Sequence, residues 1–303
     1  MKKIAFVFSG QGAQKVGMAK DFFDSSINVK KMFKIADSIR PNTSKQCFCG
    51  TQEELNQTIN TQPCLFCANA AASIVATENN IIPNFVAGFS LGELNAICYS
   101  TILTFEETFK LVCKRAQAMH EAEINNKGTM LAILKTNNDD IKKICKKFSC
   151  AYPANYNCPG QTVVSIKESL VSDFSNEIKT IGGIVIKLPV SGAFHSPFMD
   201  SASNKMKTYL SNLTFCSPNI PIYSNLTASL YDTNFIDLLS QQINHPVLWQ
   251  KTIENMIKDG TDTFVELGIG TTLSKLITKI DNSKKILNIE DKESLNATID
   301  ALR

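Results

Sequence analysis

Net charge, long apolar runs and histidine are what this chain has least of, and each shortage closes off a class of function. The formal charge is only +3 across 303 residues, well short of the basic excess a polyanion demands, so nucleic acid is set aside as a partner. No apolar run approaches the ~20 residues of a membrane span. The run after Met1-Lys2-Lys3, from Ile4 to Phe8, stops at Ser9-Gly10-Gln11 and is too short for a secretory signal core. A cytoplasmic protein with no membrane partner is expected. With only 3 histidines, chemistry that depends on imidazole has few candidates. The 10 cysteines are scattered, and a chain of this length fills its core without disulfides. Cys64-Leu65-Phe66-Cys67 follows Pro63 and continues as an apolar helix, which reads as buried helix cysteines rather than a redox or zinc pair. Cys47-Phe48-Cys49 is too tight for a usual zinc pair and has no matching second half. No metal site and no bound cofactor are expected.

What is present is a 44% hydrophobic chain with three units of strand, glycine turn and helix. Lys3 to Phe8 is a continuous apolar run suited to a strand buried on both faces. Gly10 and Gly12 turn the chain, and a helix is expected from about Val16. Asn84 to Gly88, then Phe89-Ser90-Leu91-Gly92, then a helix through Glu93 and Ala96 make the second unit. Thr263 to Leu267, Gly268 and Gly270, and a helix near Leu273 make the third. Such alternation implies a parallel, doubly wound α/β core. The middle of the chain has another rhythm: strand Thr129–Leu134, helix Asn138–Phe148, strands Cys150–Asn155 and Gln161–Ile166, helix Glu168–Ile181 and strand Ile184–Val190. This βαββαβ order is the split-βαβ, ferredoxin-like pattern. The expectation is a large α/β domain of residues 1–125 and 191–303 with a small domain, 126–190, inserted into it.

Gly88-Phe89-Ser90-Leu91-Gly92 is a G-x-S-x-G between a predicted strand and a predicted helix, the context of a nucleophile elbow. The helix that follows points its free N–H groups at the same spot, and the amide of Leu91 is positioned to stabilise an oxyanion. A serine hydroxyl needs a base. His120 falls in a helix opened by a Thr104/Glu107 capping box, and His245 precedes Pro246 in a polar loop. His195 lies where the last strand of the small domain meets a helix opened by Ser196 as cap and Pro197 in the first turn, so it overhangs the cleft between domains. His195 is the best base by position. Arg115, beside Lys114 on a helix, reads from pattern alone as an ordinary solvated residue. A nucleotide-binding reading of the first turn fails: Gly10-Gln11-Gly12 lacks the third glycine, and Gly17 is followed by Met18 instead of lysine.

Phe8-Ser9-Gly10-Gln11-Gly12-Ala13-Gln14, Gly88-Phe89-Ser90-Leu91-Gly92-Glu93 and Ser191-Gly192-Ala193-Phe194-His195-Ser196 occur in this order. Thr61-Gln62-Pro63, Asn155 to Gln161 and Glu266 to Gly270 add to them. Together they resemble the malonyl-CoA:acyl-carrier-protein transacylases and the acyltransferase domains of polyketide and fatty-acid synthases. The resemblance runs from the first strand to about Lys279. It implies an α/β-hydrolase-like core with a ferredoxin-like insert. It implies Ser90 as the acylated nucleophile and His195 as proton shuttle, with Gln11 and the Leu91 main chain at the oxyanion hole. Gln242 would orient the histidine through its main-chain carbonyl, replacing the carboxylate of a hydrolase triad. Arg115 would pair with the free carboxylate of malonate, a fork-to-carboxylate contact that selects malonyl over acetyl. Malonyl-CoA and acyl carrier protein are then substrates, and the enzyme a monomer. Carrier proteins of such pathways are acidic, which singles out Lys142, Lys143, Lys146 and Lys147 on the first helix of the small domain as a docking face.

Phe89 stands where histidine is usual, and Ser9 and Ile269 where proline is common. Phe194 before His195 resembles the malonyl-selecting version of that segment. The alternatives are a stand-alone acyltransferase of a polyketide synthase, a serine esterase or other hydrolase, and an inactive carrier-binding module. The hydrolase reading leaves only His245 as a late histidine, with no recognisable acid partner.

Overall fold

The computed structural model describes residues 3–190 and 192–303. Met1 and Lys2, and Ser191 at the head of the segment leading to His195, lie outside them. The first strand, β1 (Lys3–Phe8), forms where the apolar run predicts it. Its alternate side chains enter two different cores. Phe6 and Phe8 pack with Phe66, Leu94 and Ile97, whereas Ala5 and Val7 pack with Trp249, Ile253 and Leu276. A strand covered on both faces has no polar side, which is why its sequence reads as one continuous apolar run. Parallel pairing joins it to β2 (Phe85–Gly88) and to a late strand, Thr261–Leu267.

The second sheet consists of β3 (Gly128–Leu134), β4 (Ala151–Cys158), β5 (Gln161–Lys167) and β6 (Ile184–Lys187). Its order is β4-β5-β3-β6, with every pairing antiparallel. β3 and β4 therefore run parallel with β5 between them, the split βαβ expected. Leu131, Ile133, Val164 and Ile166 pack on Ile141, Ile144, Phe174 and Ile178 of its two helices. The late strand of the first sheet is β7 (Thr261–Leu267), which pairs in parallel with β8 (Lys285–Ile289), giving the order β2-β1-β7-β8.

Three local expectations shift. The first helix begins at Lys20 rather than near Val16, because Gly17 and Ala19 take positive φ (85° and 61°) and hold the chain in turns. Strand β6 ends at Lys187, two residues before Pro189, whose ring nitrogen has no proton for a ladder bond. Ser196 does not cap through its side chain. Its hydroxyl donates to the Ala193 carbonyl at 2.6 Å, and a 3₁₀ turn, Pro197–Met199, precedes the helix Asp200–Leu210. Cys64 and Cys67 are buried in the helix Thr58–Glu78, as their apolar surroundings predict. Among the described residues no helix is long and apolar enough to cross a membrane.

The second sheet is tied to the chain segment between Gln242 and Trp249. Tyr156 N–H donates to the Val247 carbonyl and Val247 N–H to the Ala154 carbonyl, at 2.9 and 2.8 Å, so β4 holds the segment that follows Gln242.

Candidate active site

β2 ends at Gly88 and the helix Gly92–Tyr99 begins four residues on, so the chain reverses through Phe89 and Ser90. The turn is tight enough that a Cβ on Gly88 would fall 1.9 Å from the Gly92 carbonyl carbon, and one on Gly92 would fall 2.2 Å from the Phe8 carbonyl oxygen. Only glycine permits that approach. Ser90 itself sits in the left-handed region, at φ 52°, a conformation that persists in a non-glycine residue when its surroundings over-determine it. Asn225 supplies part of that restraint. Its Oδ1 accepts from the Ser90 N–H at 2.7 Å and its Nδ2 donates to the Gly88 carbonyl at 2.6 Å, gripping the turn on both sides.

His195 also has a positive φ, 56°. The hydroxyl of Ser165 on β5 donates to the Phe194 carbonyl, and His195 N–H donates to the Ile243 carbonyl at 3.1 Å. The imidazole is thereby placed with Nε2 2.7 Å from Ser90 Oγ and Nδ1 2.8 Å from the main-chain oxygen of Gln242. A carbonyl can only accept, so Nδ1 carries the proton and Nε2 presents its lone pair to the serine hydroxyl. Burial, reinforced by the nearby Arg115 cation, lowers the His195 pKa to about 4. The ring is neutral at physiological pH and free to accept a proton. His120 lies 3.8 Å from Glu123, and His245 bonds Asn244 and the Gln241 carbonyl in an exposed loop. Neither is brought to Ser90.

Arg115 departs furthest from its sequence pattern. On the helix Phe105–Asn125, which does open with the Thr104/Glu107 capping box, it is 3% exposed rather than solvated. One guanidinium nitrogen donates to Gln62 Oε1 at 2.6 Å, and the other to Gln242 Oε1 at 2.8 Å and to Ser90 Oγ at 3.1 Å. Burial lowers its pKa to about 10 against the opposing pull of Glu93, so it remains a cation. A buried guanidinium fork has the donor geometry to pair with a planar anion such as a carboxylate.

Leu91 opens the helix Gly92–Tyr99, and its N–H has no hydrogen-bond partner among the described residues. Gln11 follows Gly10, whose Cβ position would lie 2.5 Å from the Phe89 carbonyl, so the first turn abuts the serine turn. The Gln11 side chain points instead at Thr58, with Nε2 to Oγ1 3.4 Å. Phe89 packs edge-on against Trp249, ring centroids 5.4 Å apart. Four further residues belong to the site. Glu93 and Gln62 lie inside segments that carry the family resemblance, so their positions were visible without their contacts. Asn225 and Tyr231 left no signal.

The site thus sets a neutral imidazole on a serine with a carbonyl rather than a carboxylate behind it, and the chain belongs to the acyl transferase domain family, which matches residues 5–296. It is an acyltransferase. Curated relatives include the malonyl CoA-acyl carrier protein transacylase of Bacillus subtilis strain 168, 34% identical over 311 residues that cover 100% of this chain and 98% of the relative. The enzyme of the same name from Staphylococcus aureus strain MSSA476 is 34% identical, covering 97% of this chain and 98% of the relative. Among solved structures, malonyl CoA-acyl carrier protein transacylase from Clostridium perfringens matches with TM-score 0.96 and 37% identity over 99% of this chain and 97% of that one. A malonyl-transacylase solved in complex with its type II polyketide synthase acyl-carrier protein matches with TM-score 0.95 and 29% identity over 99% and 100%. The parallel sheet with a second antiparallel sheet is thus the architecture of the malonyl transacylases, as the resemblance implied.

Proposed function

We propose that this chain moves a malonyl group from malonyl-CoA to the phosphopantetheine thiol of an acyl carrier protein, through an ester on Ser90. The observation that carries the reading is Arg115, a buried cation 3.1 Å from the serine hydroxyl. The thioester carbonyl enters beside Ser90 with the malonyl carboxylate on Arg115. His195 takes the hydroxyl proton as Oγ attacks, and the N–H groups of Leu91 and Gln11 receive the developing oxyanion. The C–S bond then breaks and coenzyme A leaves as the thiol, with the proton from His195. In the second half the pantetheine thiol gives its proton to His195, attacks the ester and restores the Ser90 hydroxyl. Both thiols are substrates, and neither half needs a metal or a resident cofactor.

The carbonyl of Gln242 behind His195 supports transfer over hydrolysis, because hydrolases of this elbow type use a carboxylate there. The test is intact-protein mass after brief mixing with malonyl-CoA or acetyl-CoA, with Ser90→Ala alongside. A malonyl adduct on the wild type, absent from the variant and weak with acetyl-CoA, is expected. Free malonate without an adduct would turn the assignment to a hydrolase.

We place the reaction in fatty-acid synthesis. The polyketide carrier bound to one structural relative favours a second reading, service to a polyketide synthase, and transfer rates to the two kinds of carrier separate them. We take the enzyme to act as a monomer, and light scattering checks it. For docking we infer a contribution from the lysine face. Lys142, Lys143 and Lys147 are already paired with Asp139, Asp140 and Glu177, at 3.8, 3.1 and 2.6 Å. Lys146 has no such partner among the described residues. Its reversal to Glu is expected to slow transfer to the carrier about 3-fold at low salt and to leave Ser90 labelling unchanged. Transfer with an unaltered salt dependence would remove the face from consideration.

A further inference from the structure

Among the described residues the mechanism leaves several buried ionisable groups unused, Glu266 and Glu93 among them, and Glu93 stands beside the site. Glu93 is 0% exposed and one turn of helix from the nucleophile. Its Oε2 accepts from Gln242 Nε2 at 2.6 Å. Its Oε1 accepts from the Tyr231 hydroxyl at 2.6 Å and from the Asn225 N–H at 3.1 Å. A buried carboxylate is costly unless such donors satisfy it, and here the donors lead to each working part of the site. Gln242 gives its main-chain oxygen to His195 Nδ1, its Oε1 to Arg115, and its Nε2 to the Ser90 carbonyl as well as to Glu93. Arginine can only donate, so Oε1 must face it, and the amide dipole lies aligned between the Arg115 cation and the Glu93 anion. On the other side, Asn225 grips the Ser90 turn with its side chain while its N–H rests on Glu93.

We propose that Glu93 is a positioning residue of the transfer reaction, its ionised carboxylate holding Gln242 and Asn225 so that Ser90, His195 and Arg115 keep one fixed arrangement. The roles of those three rest on the transfer reading above. The ionised form is the one that matches the hydrogen bonds, because a protonated carboxyl brings a fourth donor into a ring of three. The charged and titratable groups facing it are Arg115 from the helix Phe105–Asn125, Tyr231 from the segment after Asn225 and, through Gln242, His195. Burial raises the Glu93 pKa to about 7, against the lowering pull of Tyr231, Gln242, the Asn225 amide and Arg115. As pH falls through that value the carboxyl takes up a proton, and one of its oxygens then sets a donor against the Gln242, Tyr231 or Asn225 donor that it had accepted from. His195, held near 4, stays neutral there and does not account for a loss of rate.

The experiment is the pH dependence of the initial rate of Ser90 labelling by malonyl-CoA in the wild type, Glu93→Gln and Tyr231→Phe. The wild type is expected to slow on the acid side of about pH 7. Glu93→Gln is expected to be about 10-fold slower at pH 8, to lack that limb and to discriminate less between malonyl-CoA and acetyl-CoA. Tyr231→Phe removes one donor and is expected to move the limb to higher pH. A limb that persists in Glu93→Gln overturns the proposal and leaves the transfer reading intact, as does a variant that is only less stable, with wild-type rate and selectivity per folded molecule. If Glu93→Gln does not fold, Tyr231→Phe decides, and an unmoved limb overturns it. No labelling of the wild type at any pH sinks the transfer reading and this proposal together.

Discussion

The turn that carries Ser90 and the segment that carries His195 reach similar backbone conformations, φ 52° and 56°, by different means. At Ser90 the restraint is steric and mostly local. Gly88 and Gly92 let the backbone close on itself and on Phe8, leaving no slack for the residue between them. At His195 the restraint comes from hydrogen bonds out of other elements, Ser165 on β5 and the Ile243 and Gln242 carbonyls. A left-handed non-glycine residue costs on the order of 1–3 kcal/mol, so each region must be held, the Ser90 turn by close packing with Asn225 added and the His195 segment by polar contacts. Packing tolerates no added atom. A hydrogen-bonded segment can lose one bond and partly relax.

That contrast can be broken at either end. Gly92→Ala should be the most damaging of these changes, because its Cβ would meet the Phe8 carbonyl oxygen at 2.2 Å, a backbone atom that cannot swing aside. A loss of about 3 kcal/mol or more in urea unfolding is expected. A loss under about 1 kcal/mol would show that the turn has slack after all. Arg115→Ala leaves Gln62 and Gln242 without their cation, and malonyl labelling should fall by about 100-fold, within the ~2–5 kcal/mol of a truncated buried charge pair. Acetyl labelling should fall much less, and an equal fall would deny Arg115 its carboxylate. Ser165→Ala should cost about 1–3 kcal/mol by stranding the Phe194 carbonyl. It should slow labelling several-fold without abolishing it, since the other two bonds to the His195 segment remain.

The smallest effect is a pH dependence of stability. The His195 pKa is lowered to about 4 in the folded chain from an ordinary 6.5, so the unfolded chain binds more protons between those values. Its neutral burial stabilises above 6.5, and that contribution is lost as pH falls toward 4. For Glu93 the sign is reversed. Its folded pKa of about 7 lies above the ordinary 4.5, so its contribution is present below 4.5 and lost as pH rises through 7. Between 4.5 and 6.5 the two slopes oppose one another. Glu93→Gln removes one of them, and its urea midpoint should fall more steeply than that of the wild type on going from pH 6.5 to 5. Parallel midpoints would mean that the two groups do not titrate as their burial implies.

The same contrast decides what the sequence made legible. The serine turn is a local object, so glycine spacing between an apolar strand and a helix was enough to find it. Likewise the βαββαβ order was readable because its periodicities switch within a short stretch. The restraints on His195 and Arg115 span the chain. Arg115 meets Gln62 across 53 residues and Gln242 across 127, and His195 meets Gln242 across 47. No local pattern encodes such pairings. Arg115 looked solvated beside Lys114 because its burial depends on Gln62 and Gln242, which arrive from other elements. The resemblance supplied its role, whereas the side-chain duties of Gln242 had no precursor in the pattern.

Gln242 works with both ends, its main-chain oxygen on the imidazole and its side chain between the guanidinium and the Glu93 carboxylate. If Arg115 and His195 act as proposed, choice of cargo and speed of turnover are therefore not independently tunable in this enzyme. Replacing Arg115 to admit a neutral acyl group also releases the glutamine that aligns the base. A redesign for other acyl chains should accordingly begin with paired substitutions at Arg115 and Gln62 that leave Gln242 a donor for its freed oxygen. A lineage that drifted toward new acyl groups would be expected to change these positions together.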